Sequence, residues 1–335
     1  MEHEEFDYCF YFEDGKPDAY RYCVAFEEGH AIYHRFTIED YEEFGFRKGG
    51  NDMKISRVWA VYFSPTGNVK EVTNLIAKKL SEELSVPLEQ WNFTLPDNRK
   101  SAKAFEKEDL VVFGTPVYAG RVPNKILPWV QQGFTGDHTP MVPVVVFGNR
   151  NFDDALMELK QELEKNGFLA AAGAAVASSH VFSDKIAPGR PDASDRAEIL
   201  TFAGKAAQKI AETDILHTGL QVAGNDPIGA YYTPLGTDGK PAKFLKAKPI
   251  TEISKCNGCG RCSEVCPMGS VDGEDVSQVT GICIKCQACI KSCPNGAKYF
   301  ADEAFLSHVR MLEEHYTDRA ETVSYTHLTL PTILL

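Results

Sequence analysis

Beyond residue 52 the chain repeats one pattern: a short run of consecutive apolar residues, a polar turn containing glycine, then apolar positions three and four apart. Residues 58–63, VWAVYF, are continuous and rich in β-branched and aromatic side chains, which predicts a strand buried on both faces. Val69, Val72, Ile76, Leu80 and Leu84 follow at helical spacing with Lys and Glu between them. Residues 110–113 and 142–147 predict further strands, and the small, apolar residues 169–178 a last one. A helix is expected to begin at Pro123, because proline suits a first helical turn. Another carries Phe152, Leu156, Leu159 and Leu163, and a final one Ile199, Phe202, Ala206 and Ile210. Repeated strand–helix units imply an α/β domain with a parallel sheet covered on both faces.

The turns of this pattern carry candidate chemistry. Ser64-Pro65-Thr66-Gly67-Asn68 joins the first strand to its helix. Loop N–H groups and a helix N-terminus favour an anion, and Ser64, Thr66 and Asn68 add donors, so the segment reads as a phosphate site. Gly114-Thr115-Pro116-Val117-Tyr118-Ala119-Gly120 follows the second of these strands, and Gly148-Asn149-Arg150, with Asp153 and Asp154, the third. No nicotinamide-type G-x-G-x-x-G follows a strand.

Eight of the ten cysteines fall between residues 256 and 293. Cys256, Cys259, Cys262 and Cys266 repeat as Cys283, Cys286, Cys289 and Cys293, each set spaced C-x2-C-x2-C-x3-C and followed by proline. A cubane iron–sulfur cluster needs thiolates converging from several directions, and three cysteines two residues apart wrap a compact loop around one corner. Glycines such as Gly258 and Gly260 let backbone N–H groups approach sulfur. A disulfide framework suits small secreted domains, and structural zinc takes two separated pairs of ligands. The spacing matches the bacterial ferredoxin run, and two [4Fe–4S] clusters are expected.

These motifs carry a family resemblance. The segment from Ser64 to Asn68 resembles the FMN phosphate loop of flavodoxins. Thr115, Pro116, Val117 and Tyr118 resemble their second loop, which covers the flavin ring, and Gly148, Asn149 and Arg150 stand where the third belongs. The order of parts is similar to the bacterial and archaeal flavodoxin–ferredoxin fusion proteins, over roughly residues 53–322. The resemblance implies a flavodoxin-like doubly wound parallel sheet, then a small α+β two-cluster ferredoxin-like domain. It implies FMN as a further cofactor. It also implies crossed ligation: Cys256, Cys259, Cys262 and Cys293 for one cluster, and Cys283, Cys286, Cys289 and Cys266 for the other. Flavodoxins usually continue T-G-N with threonine; Val69 stands there, which removes one phosphate hydroxyl.

The expected organisation is a flavodoxin-like domain over 53–213, a linker over 214–250, a ferredoxin domain over 251–300 and a C-terminal helix over 301–322. Four prolines and five glycines between Asp214 and Lys255 predict irregular structure there. Phe305, Val309, Leu312 and Tyr316 share a helical face. Residues 1–52 are acidic and aromatic, with Lys48-Gly49-Gly50 just before Met53, and read as an extension upstream of the true start at Met53; the alternative is a small β-rich domain with a hairpin around Asp14-Gly15. Cys9 and Cys23 read there as free thiols. Residues 323–335, VSYTHLTLPTILL, are uncharged and read as a translated sequencing adapter.

Charge narrows the partners. With 35 basic and 47 acidic residues the net charge is −12, which disfavours nucleic acid and anionic membranes. No signal-peptide pattern opens the chain, so the cytoplasm is the expected compartment. The expected function is electron transfer between the clusters and FMN, in exchange with a separate redox protein. A flavin-dependent reductase of a small organic substrate, with Tyr118 or His180 as proton donor, is the alternative within enzymes. A redox-sensing scaffold with a flavin-free domain is the alternative outside them.

Overall fold

A computed structural model describes residues 9–11, 21–27, 30–36, 54–212 and 219–326. The chain divides into two compact units, Met1–Asp52 and Met53–Leu335. In the first, β1 (Cys9–Tyr11), β2 (Arg21–Glu27) and β3 (His30–Phe36) form an antiparallel sheet in that order. The pairing of β1 with β2 is the one a hairpin would make; its expected turn at Asp14-Gly15 lies outside the described residues, as do the side chains of Cys9 and Cys23.

The second unit is built on one twisted sheet. Its elements are β4 (Arg57–Tyr62), α1 (Asn68–Leu84), β5 (Leu88–Asn92), β6 (Lys103–Phe105), β7 (Asp109–Pro116), α2 (Leu127–Gln132), β8 (Phe134–Gly136), β9 (Thr139–Phe147), α3 (Ala155–Glu164), β10 (Phe168–Ala170), β11 (Gly173–Ala177) and α4 (Ala193–Glu212). The spatial order β5-β4-β7-β9-β11 is entirely parallel. In chain order this is 2-1-3-4-5, the order of flavodoxin-like doubly wound sheets. Alternation along β4 divides the core. Val58, Ala60 and Tyr62 pack under α1 and α4, while Trp59 and Val61, with Phe63 just beyond, pack under α2 and α3. Ile76 of α1 is fully buried; truncating it to alanine costs about 2–5 kcal/mol.

Local chemistry moves two boundaries. The helix expected at Pro123 begins at Leu127. Residues 123–126 form a turn, and Pro128 has no N–H with which to extend a regular helix back across it. The last strand is broken at Ala171 and Ala172 into β10 and β11, both paired with β9.

Residues 219–249 are irregular, as their prolines and glycines require, but they are packed. Leu220 and Val222 enter the core. The Asp154 carboxylate accepts hydrogen bonds from Asn225 N, Asn225 Nδ2 and Gly229 N at 2.8–3.2 Å. Arg121 pairs with buried Glu158 and also bonds Gly229 O. The remaining elements are β12 (Ile250–Thr251), α5 (Arg261–Glu264), α6 (Ala288–Lys291), β13 (Lys298–Tyr299), α7 (Glu303–His315) and β14 (Val323–Tyr325). β12 and β13 pair antiparallel. β14 pairs antiparallel with β11, so the first three of residues 323–335 add an edge strand to the large sheet. No helix among the described residues is long and apolar enough to cross a membrane.

Candidate functional site

The cysteine repeat is also a conformational repeat. α5 and α6 occupy equivalent places in the two motifs, so each quartet places its third cysteine on a one-turn helix. The eight thiols close around two cavities. One is lined by Cys256, Cys259, Cys262 and Cys293, the other by Cys266, Cys283, Cys286 and Cys289. Each cavity therefore takes three cysteines from one motif and the fourth from the other. Ser270 N donates to Cys266 Sγ at 3.3 Å and Ala297 N to Cys293 Sγ at 3.2 Å, again at equivalent positions. Among the described residues no three His, Cys, Asp or Glu side chains converge tightly enough for a single metal ion; cysteines ringing a cavity suit a polynuclear group, which keeps its thiolates apart.

The two rings differ in environment. In the second, burial pushes the Cys286 and Cys289 thiols up to about 12 and raises Cys283 as well. Binding of a metal group there would release the protons of these thiols. The first ring is shallower, with Cys259 exposed. At Cys293 partial burial raises the thiol, but N–H groups of Ala297, Asn295, Lys298 and Gly296 outweigh it and bring it below its ordinary value.

The second ring faces the large sheet. Met268 and Ile284, which line its cavity, pack against the core under α2 and α3. Arg99, just after β5, donates to Phe93 O at 2.8 Å, to Thr94 O at 2.5 Å and to Pro267 O at 2.5 Å, so one guanidinium ties the carboxyl end of the sheet to the residue after Cys266. Tyr118, in the second flavin-type loop, lies near this ring. Burial raises its hydroxyl well above the ordinary range, and the neighbouring Cys286 and Cys283 raise it further.

The three flavin-type loops follow β4, β7 and β9, adjacent strands of a parallel sheet, and so share its carboxyl edge, where ligands of this architecture bind. Their states differ. In the first, Gly67 caps α1 at φ +100°, supplies no side chain to the helix's first N–H groups, and has nothing within 4 Å of where a Cβ would stand. Thr66 makes no side-chain hydrogen bond; Ser64 Oγ accepts from Lys70 N at 2.9 Å, and Asn68 Nδ2 donates to Ser178 Oγ at 2.8 Å. This loop meets the needs of a phosphate: first-turn N–H groups at Asn68 and Val69 that no side chain caps, a left-handed glycine and a free hydroxyl.

In the second loop Thr115 is buried with an unpartnered hydroxyl, Pro116 ends β7, and Val117 N donates to Val146 O at 2.9 Å. In the third, the buried Asn149 is engaged by the segment that follows α7. Its Nδ2 donates to Tyr316 O and Asp318 O, both at 2.8 Å, and its Oδ1 accepts from Ala320 N. Arg150 pairs with Asp153 and lies 4.0 Å over the Tyr232 ring. His180 packs against Gly148 and Phe182, and burial, reinforced by His308, Lys291 and Arg150, lowers it to about 4, so it is neutral near pH 7. The phosphate end of a flavin site is thus open, while the ring end has its Asn149 amide taken by residues 316–320.

Sequence reasoning missed Arg99 and Lys298, and it placed residues 316–322 in a C-terminal helix that ends at His315. None stands in a motif. Only the fold brings them to the two centres.

Residues 255–298 match the family described as a 4Fe-4S dicluster domain. Residues 1–45 match "Domain of unknown function, E. rectale Gene description (DUF3877)". No curated protein matches the chain. Among solved structures, a flavodoxin from the domain Archaea is 13% identical, covering 46% of this chain and 98% of its own, with a TM-score of 0.34. Oxidised Flavodoxin 2 from Bacillus cereus is 16% identical, covering 46% and 99%, with a TM-score of 0.33. Rubredoxin oxygen:oxidoreductase from the anaerobe Desulfovibrio gigas is 16% identical over 46% of this chain and 35% of its own, with a TM-score of 0.31. The flavodoxin-like assignment rests on the strand order. The chain joins such a sheet to a dicluster iron–sulfur domain.

Proposed function

We propose that the protein carries electrons between its iron–sulfur centres and an FMN held at the carboxyl edge of the sheet, in exchange with a separate redox protein. The observation that carries this reading is the docking of the second cysteine ring on the carboxyl edge of the sheet, through the Arg99 bond to Pro267 O and through Met268 and Ile284, which pack with Val117 of the second flavin-type loop against the same core. Cys266, Cys283, Cys286 and Cys289 hold one cluster there, and Cys256, Cys259, Cys262 and Cys293 hold the other on the more open side. Ser64, Thr66, Gly67 and Asn68 bind the flavin phosphate. The clusters move single electrons and a flavin moves one or two, so the pair joins one-electron and two-electron partners. The polypeptide positions and insulates. N–H groups of Ser270 and Ala297 bond the ligand sulfurs, and Arg99 fixes the distance between the two parts.

Anaerobically purified protein is expected to contain about eight irons and eight labile sulfides per chain, together with FMN. After a rapid reducing pulse to the clusters, flavin reduction should be first order and independent of protein concentration. Second-order transfer would mean that the two centres do not communicate within a chain.

A second reading is favoured by the capture of Asn149: a flavin-free sheet domain that docks a partner while the clusters sense redox state. Full iron content with no flavin, even after incubation with FMN, would select it.

A further inference from the structure

Lys298 is only 2% exposed, yet no acidic side chain among the described residues pairs with it. It lies on β13 opposite Thr251 of β12 and lines the first cysteine cavity. Its Nζ donates to Val276 O, which also accepts from Thr251 Oγ1 at 3.4 Å. Among the described residues its ammonium forms no ion pair and no other hydrogen bond. An ammonium has three donors, and one removed from water with a single carbonyl partner is strongly unfavourable. Asp275 senses its charge from the exposed surface but makes no salt bridge to it.

The groups that face Lys298 are sulfurs, and they belong to both rings. Lys298 lines the cavity ringed by Cys256, Cys259, Cys262 and Cys293, and its strand β13 packs against α6, which carries Cys289 of the second ring. α6 also packs against α5, which carries Cys262, so the two rings approach each other on this side. A cluster bound by four thiolates is a net anion, and it gains a further negative charge on taking up an electron. A cation fixed beside it in a poorly screening interior favours the reduced form more than the oxidised one.

We propose that Lys298 is the shared counter-charge of the two clusters: a buried ammonium that raises the reduction potential of both and holds the two values close, so that an electron passes between them without a large energetic step. This rests on the two-cluster reading above. Iron and sulfide analysis of the unaltered chain tests that reading alone, whereas the potentials of Lys298 variants test the inference. Each step measured is one electron from the reductant into one cluster, with no bond made or broken.

Anaerobic redox titration of the full chain, followed by the EPR signals of the reduced clusters, compares the wild type with Lys298→Met, Lys298→Gln and Lys298→Arg. Gln keeps a donor for Val276 O without the charge, and Arg keeps the charge. With iron content unchanged, Met and Gln should each lower the reduced-to-oxidised ratio of both clusters at a fixed potential by roughly tenfold, the scale of one nearby unit charge, which for one electron is about 59 mV. Arg should leave both ratios near the wild-type values. If the Met and Gln variants retain their iron and neither midpoint moves, or only one does, the shared counter-charge is overturned. Loss of iron in Met and Gln but not in Arg would show that both clusters need the charge to be held, and supports the inference. Loss in all three would make Lys298 a packing residue and overturn it.

Discussion

Gly258 and Gly260 adopt φ of +70° and +74° in the first cysteine motif, and their counterparts in the second, Lys285 and Gln287, hold +58° and +66°. A side chain in that left-handed region costs roughly 1–2 kcal/mol, and the second motif carries it twice. Nothing lies within 4 Å of a Cβ at Gly258 or Gly260. Alanine at either position should therefore retain iron and lower stability by only about 1 kcal/mol, read as the midpoint of thermal bleaching. Gly114 is the contrast. A Cβ there would stand 2.0 Å from Thr73 Oγ1, so Gly114→Ala should sharply reduce folded protein. His180 supplies a pH test at the same scale. Its pKa falls from 6.5 to about 4 on folding, so the unfolded chain takes up a proton that the native one refuses. Stability present above pH 6.5 is lost as the pH falls towards 4, by an amount on the order of 1–3 kcal/mol. Denaturant midpoints of wild type and His180→Asn should converge over that window; parallel curves would remove His180 from the account.

Among the elements, α7 shows how a short helix is held. Asp302 caps it by accepting from Phe305 N at 2.9 Å, and Phe305 then meets Phe182, Phe244 and Phe300. Asp302→Ala should cost about 1 kcal/mol, visible as an earlier thermal transition with the cluster spectrum intact. The face of α7 was legible, because Phe305, Val309 and Leu312 keep the helical period and all three are buried. So were β4, α1, α3 and α4, whose patterns are long or continuously apolar. β5, β6 and β8 were not. Leu88–Asn92 and Lys103–Phe105 are short and largely polar, and pair only because neighbouring strands are already in place. The helix expected at Pro123 failed on a second proline at 128.

At the scale of the whole molecule, the two cysteine rings were written in the spacing, since a ligand set is a local pattern duplicated. Their docking was not. Arg99 looks like any loop arginine until the fold carries Pro267 to it, and Asn149 looks like a flavin-loop residue until Tyr316, Asp318 and Ala320 reach it. Contacts spanning more than a hundred residues leave no local period to read. Arg99→Ala removes the hydrogen bond from the sheet to the second ring's proline and should slow transfer within the chain severalfold, while iron content stays constant; an unchanged rate would show that apolar packing by Met268 and Ile284 suffices.

The strand β14 carries a consequence for how the protein behaves in company. It attaches to β11 through backbone groups, and β11 is built of small residues, a glycine and three alanines, with one valine. Such pairing asks little of side-chain identity, so the berth accepts nearly any extended segment without proline. A chain ending at Thr322 would leave the N–H and C=O groups of β11 facing outward, open to the same edge of another molecule. Such a chain should sediment as a concentration-dependent mixture of monomer and dimer at protein concentrations where the longer one remains a single species.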